Sequence, residues 1–292
     1  MKLLPLLLIA FAAVASASTG LLLPLYKYPT TASGIDDWTA ALSAMDAHPS
    51  LPFHIIINEN NGAPYPSPLP ANIKDWAQLL GHLHSKSKTT LIGYIATSSS
   101  ARPLDDVKRG IDQYAAWSTH EGWEEPPVQH NIKIDGVFLD EIDTDPSKLK
   151  YNQEITKYAK KVFPSGTVIL NPGSAVQKGS ESLLDLADSV VAIETCYTKV
   201  EGARCPEGGY TPFEASSLDE LVNPGKSSVL VHEFYEAAEP FRAASMSTLE
   251  DTVKAIVGKG VHSFYVATFG YTGDFLSGPA NVTTVARLAA QA

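Results

Sequence analysis

Three acidic side chains crowd the end of one apolar run. In KIDGVFLDEID (133–143), Asp140, Glu141 and Asp143 follow Ile134–Leu139. A fourth, Glu194, closes the run SVVAIE (189–194). Carboxylates at close range repel, so a fold that gathers them gains something by it. Two carboxyls flanking one bond supply a proton donor and a nucleophile or base, the pair that glycoside cleavage requires. Repulsion and burial then raise one pKa, so that one group keeps its proton while the other is ionised. Structural readings compete. Asp140 and Glu141 could cap the next loop, and Glu194 could pair with Lys199 or Arg204. A metal site of Asp140, Glu194 and His232 lacks a supporting motif such as His-Glu-x-x-His, so neither metal nor cofactor is expected.

Such a pair has to be held by rigid elements. Eight short apolar runs span 20–28, 53–58, 89–97, 134–141, 167–173, 189–195, 228–234 and 261–269. They are β-branched and apolar on both faces, as in parallel strands covered on both sides. Between them, 35–45, 72–84, 105–117, 151–163 and 249–259 carry apolar residues at helical spacing. Ser217-x-x-Glu220 and Ser247-x-x-Glu250 read as capping boxes. This alternation predicts an α/β fold, a single-domain (β/α)8 barrel. An open doubly wound sheet would carry a glycine-rich loop after its first strand, where YKYPTTASG (26–34) stands instead.

Barrel sites lie at the C-terminal strand ends. Here those ends read Tyr26, Asn58 and Asn60, Tyr94, Asp140 and Glu141, Asn171, Glu194 and His232, with Tyr197 just beyond. Amides, carboxylates and aromatic rings on one rim suit a carbohydrate. Plainer readings stand beside this one: turn residues for the asparagines, a core role for His232, packing for the tyrosines. Strand alternation puts Gly136, Phe138 and Asp140 on one face. Gly136 suits a crowded barrel interior, which points Asp140 inward. In the sixth run Ala192 is the small residue, and Glu194 shares its face.

The remaining composition narrows the partners. Net charge is −10, without a basic patch, so nucleic acid and polyanions are disfavoured and neutral or cationic ligands fit better. Residues 1–17 read as a secretory signal peptide, leaving 18–292 as the mature domain. No later run is long and apolar enough for stable membrane insertion. The reading is a secreted, extracellular or cell-wall monomer that meets a polysaccharide. In that compartment Cys196 and Cys205 are expected to form a disulfide, and Asn281-Val282-Thr283 is a glycosylation sequon. A serine hydrolase is disfavoured, because no Gly-x-Ser-x-Gly occurs.

PLYKYP (24–29), IIINENNGAP (55–64), GYIAT (93–97), IDGVFLDE (134–141), LNPG (170–173) and AIE (192–194) carry a resemblance. In their order and spacing the chain resembles the spherulin-4-like proteins, glycoside hydrolase family 135. The resemblance implies a (β/α)8 barrel that hydrolyses α-1,4-linked N-acetylgalactosamine or galactosamine polymers, the galactosaminogalactan of fungal walls and biofilms. It implies catalytic carboxyls at Asp140, Glu141 and Glu194, and a related family suggests Asp140 as nucleophile and Glu194 as acid/base. Glu59 stands where that family commonly has proline. The competing class is a non-catalytic wall or sporulation protein that binds glycan on the same barrel.

Overall fold

A computed structural model describes residues 18–26, 28–29, 38–58, 73–117, 131–197, 205, 211–237, 241–270 and 280–292. Eight parallel strands close into one barrel. They are β1 (Gly20–Leu25), β2 (Phe53–Ile57), β3 (Thr89–Ala96), β4 (Gly136–Asp140), β5 (Thr167–Leu170), β6 (Ser189–Cys196), β7 (Ser227–His232) and β10 (Ser263–Val266). The order around the barrel is β1-β10-β7-β6-β5-β4-β3-β2. A short antiparallel pair, β8 (Tyr235–Ala237) and β9 (Arg242–Ala243), stands between β7 and β10. All eight expected runs form strands; seven end one to three residues earlier than expected, and the sixth ends one residue later.

The helices α1 (Thr39–Ala47), α2 (Ile73–His84), α3 (Leu104–Ala116), α4 (Leu149–Val162), α5 (Ser182–Leu186), α6 (Met246–Gly258) and α7 (Val282–Gln291) complete the described elements, with three short 3-10 turns. After β6 the chain forms a 3-10 turn over Ala215–Glu220 instead of an α-helix. Ser217 lies inside that turn and caps nothing, which corrects the first capping box. The second is displaced: Ser245, not Ser247, caps α6 by accepting from the Thr248 N–H.

The core lies both inside the barrel and between the strands and their helices. Trp38 and Trp76 are fully buried and meet edge to face, and Tyr28 meets Trp76 at 90°. Each such side chain contributes roughly 1.5–3 kcal/mol by leaving water. Gly93 sets the orientation of β3. A Cβ there would lie 2.4 Å from the Tyr114 ring of α3, so position 93 faces the helix and Tyr94 faces inward. Gly136 is glycine for a different reason from the one expected. Its Cβ would meet the Thr167 carbonyl oxygen of the neighbouring strand at 1.9 Å, so what it relieves is contact with a neighbouring backbone.

Two irregularities bear on the site. The β5–β6 ladder holds only Ile169↔Ser189 and Leu170↔Val190. The β6–β7 register then shifts between Val191 and Ile193, which makes Ala192 the extra residue of a bulge. Bulges re-aim the side chains that follow them. Ala192 and Glu194 nevertheless line one cavity together. Past the bulge the Glu194 N–H bonds to the Gly173 carbonyl at 3.2 Å, and this contact sets its place.

Candidate active site

Four strand ends converge. Tyr94 on β3 donates its hydroxyl to Asp140 Oδ2 at 2.6 Å. Asn171, one residue past β5, donates from Nδ2 to Asp140 Oδ1 at 2.8 Å and to Glu194 Oε2 at 2.7 Å. Asn171 is itself fixed by the turn of Asn171-Pro172-Gly173, in which its Oδ1 accepts from the Gly173 N–H at 2.8 Å. The two bonded carboxylate oxygens therefore lie no farther apart than those two hydrogen bonds laid end to end. Retaining glycosidase pairs stand roughly 5–5.5 Å apart and inverting pairs roughly 6.5–9.5 Å.

The electrostatics separate the two groups. Burial pushes Glu194 up to about 7; its one hydrogen bond from Asn171 pulls it back, and the Asp140 charge adds to the rise. Burial raises Asp140 as well, but donors from Tyr94, the Glu141 backbone N–H and Asn171 all favour its anion. The proton of the pair therefore belongs on Glu194 and the negative charge on Asp140. Tyr94 is pushed well above the usual phenol range by burial and by Asp140, so it remains a donor.

Glu141 is held differently from the other two carboxyls. Its backbone is left-handed, with φ 56, and its Oε2 accepts from the Ser98 N–H at 3.0 Å. Thr97 Oγ1 donates to the carbonyls of both Asp140 and Glu141 at 2.8 Å. Ser98, Ser99 and Ser100 form a left-handed turn, with φ 54, 53 and 55. L-residues resist that conformation by roughly 1–2 kcal/mol each. Ser100 Oγ holds the turn, donating to Asn152 Oδ1 at 2.7 Å and accepting from the Asp143 N–H at 3.0 Å. The end of β4 is thus clamped by the loop after β3. Sequence reading missed this clamp, because three serines carry no glycine-like signal for positive φ.

The other expected site residues lie along the same rim. The Tyr26 ring meets Tyr94 edge-on at 5.3 Å. Asn58 is half-buried just past β2, and Asn60 lies outside the described residues. Tyr197 packs on Phe234 at 4.1 Å, and its N–H donates to the His232 carbonyl at 2.9 Å. His232 Nδ1 is 3.5 Å from Glu233 Oε2. Cys196 and Cys205 are bonded, with Cα atoms 5.6 Å apart, which anchors the chain just after β6. Asn281 caps α7 by accepting from the Thr284 N–H. Where the β5–β6 ladder stops, a cavity of about 200 Å³ opens beside Glu194, lined also by Ser174, Thr211, Ser217 and Glu220. Among the described residues, no three His, Cys, Asp or Glu are grouped to hold a metal ion, and no helix is long and apolar enough to cross a membrane.

Residues 20–287 match the model of the spherulation-specific family 4, Spherulin4. The chain belongs to that family. Spherulin-4 of Physarum polycephalum is 25% identical over 257 residues, which cover 88% of this chain and 66% of that protein, so the chain spans a little under two thirds of that relative. Among solved structures, Aspergillus clavatus Sph3 in complex with GalNAc superposes with a TM-score of 0.72 at 24% identity, covering 94% of this chain and 98% of Sph3. The GH18 chitinase ChiB of Flavobacterium johnsoniae superposes with a TM-score of 0.52 at 11% identity, covering 94% of each chain. These superpositions establish the barrel as the common fold.

Proposed function

We propose that this member of the family is a secreted glycoside hydrolase that cuts within α-1,4-linked N-acetylgalactosamine or galactosamine polymers and retains the anomeric configuration. The observation that carries this reading is the single Asn171 nitrogen shared by Asp140 and Glu194. The GalNAc bound to Sph3 supports the sugar class. Asp140, the better hydrogen-bonded anion, attacks the anomeric carbon. Glu194 gives its proton to the departing glycosidic oxygen, then takes one from the water that releases the sugar from Asp140. In an α-linked sugar of this type the 2-acetamido group and the leaving oxygen lie on the same face. The acetamido oxygen cannot then reach the back of the breaking bond, so retention requires a nucleophile from the protein.

Glu141 orients Asp140 through its backbone N–H. Tyr26, Asn58, Tyr94, Asn171, Tyr197 and His232 contact the polysaccharide. Residues 1–17 act as the leader that exports 18–292, and the bonded Cys196 and Cys205 fit an oxidising compartment. Asn281 carries the glycan of its sequon.

Turnover of purified galactosaminogalactan tests the reading. New reducing ends, released by the wild type and not by Glu194→Gln, support it. Binding without release by the wild type selects the non-catalytic glycan-binding class instead.

A further inference from the structure

The β8–β9 hairpin has no place in the barrel frame, and it carries an unusual surface. Phe241, just before β9, is 50% exposed, one of three large apolar side chains among the described residues to be so. It does not protrude alone. Tyr235 of β8 meets it at 5.8 Å with planes 62° apart, and Phe269, just past β10, lies 5.5 Å away and tilted by 34°. Tyr235 and Phe269 are themselves 6.4 Å apart. Three rings thus brace one another, and one presents itself to solvent. Beside them Arg242 Nε is paired with Glu236 Oε2 at 2.6 Å, with both side chains well exposed.

This cluster stands at the C-terminal ends of β7 and β10, on the rim that carries Asp140 and Glu194. β7 adjoins β6, the strand of Glu194, and β10 is the next strand round. Adjacent strands lie roughly 4.8 Å apart, so the rings sit on the order of 10 Å along the rim from Glu194, before the hairpin's own reach. A braced, half-exposed ring flanked by a charged pair matches the two faces of a pyranose. The C–H face covers the ring, and the hydroxyls reach the guanidinium and carboxylate.

We infer that Phe241, supported by Tyr235 and Phe269, is a platform for a sugar residue of the bound polysaccharide outside the cleavage position. This rests on the glycosidase reading and adds a site to it. The platform makes affinity grow with chain length, because a single sugar over the carboxyls does not span the roughly 10 Å to the hairpin.

The test measures binding of graded galactosamine-containing oligosaccharides and of the polymer to catalytically silenced Glu194→Gln protein. It compares Phe241 with Phe241→Ala and Phe241→Trp in that background. With Phe241, affinity rises from short to long chains. Phe241→Ala removes about ten-fold of that rise, the loss expected when a half-exposed ring is no longer covered. Phe241→Trp restores it, and its indole emission shifts on polymer binding and not on binding a monosaccharide. An unchanged length dependence in Phe241→Ala, or an indole at 241 that ignores the polymer, overturns the platform while turnover by the wild type leaves the hydrolase reading standing. Absence of both binding and turnover in the wild-type protein overturns both.

Discussion

Asp140 and Glu194, on strands two apart in the barrel, accept hydrogen bonds from one and the same nitrogen, Asn171 Nδ2. A primary amide has two N–H bonds, and here each is spent on a different carboxyl. The strand between the two acids therefore spaces them and also spans them. It favours one shared negative charge and opposes a second proton on the pair.

Asp140→Asn and Glu194→Gln are each expected to lower turnover of the polymer by at least about 10²-fold, the scale of losing a positioned acid or nucleophile. With a substrate bearing a good leaving group, azide should partly restore the Glu194→Gln rate, because the first step then needs no proton and azide replaces the base-activated water. The anomer released first, read by NMR, should be the α form. Near-normal rates in both variants, or an inverted product, would remove the assignment.

Glu194 also predicts a stability effect. Its folded pKa, about 7, lies above the ordinary 4.5. The fold thus favours the protonated acid, and the stability this gives is complete below pH 4.5 and lost as pH rises through 7. Glu194→Gln keeps the neutral shape. Its melting temperature should exceed the wild type's by several degrees at pH 8 and match it near pH 4.5. An equal difference at both pH values would show that titration of Glu194 is not the cause.

Replacement of Asn171 separates positioning from bulk stability. Its amide pulls the Glu194 pKa down, so Asn171→Ala should move the alkaline limb of the kcat/KM profile to higher pH while lowering the maximum. A variant that loses activity with the limb unmoved would make Asn171 a packing residue only.

At the opposite end of the barrel, the rings of His54 and His262 lie 4.9 Å apart. His262 Nδ1 meets Ser263 Oγ at 3.1 Å, and Ser263, Ser228 and Ser189 continue as a hydroxyl chain at 2.7 Å per step. Burial and the His262 charge lower the His54 pKa from 6.5 to about 3. Burial lowers His262 too, and Asp188 pulls it partly back. His54 thus supports the fold only when neutral, and that support fades as pH falls from 6.5 toward 3. His54→Leu should flatten the acid limb of a stability–pH curve followed by circular dichroism; an unaltered slope would place acid sensitivity elsewhere.

Much of this protein was legible in the sequence because barrel strands announce themselves locally. A run such as FHIII or GVFLD is apolar on both faces whatever surrounds it, and β2 and β4 formed where those runs lie. The polar residues that stop the runs marked the rim for the same reason. What the sequence could not hold is any relationship set by a neighbour. Gly136 is glycine because of Thr167, Glu194 is aimed by a bulge at Ala192 and by the Gly173 carbonyl, and Ser98–Ser100 turn left-handed because Asn152 and Asp143 hold them. The tuning of the acids is of this kind too. A carboxyl's pKa depends on which donors and how much water reach it. Those are settled only when strands far apart in the chain close into one barrel.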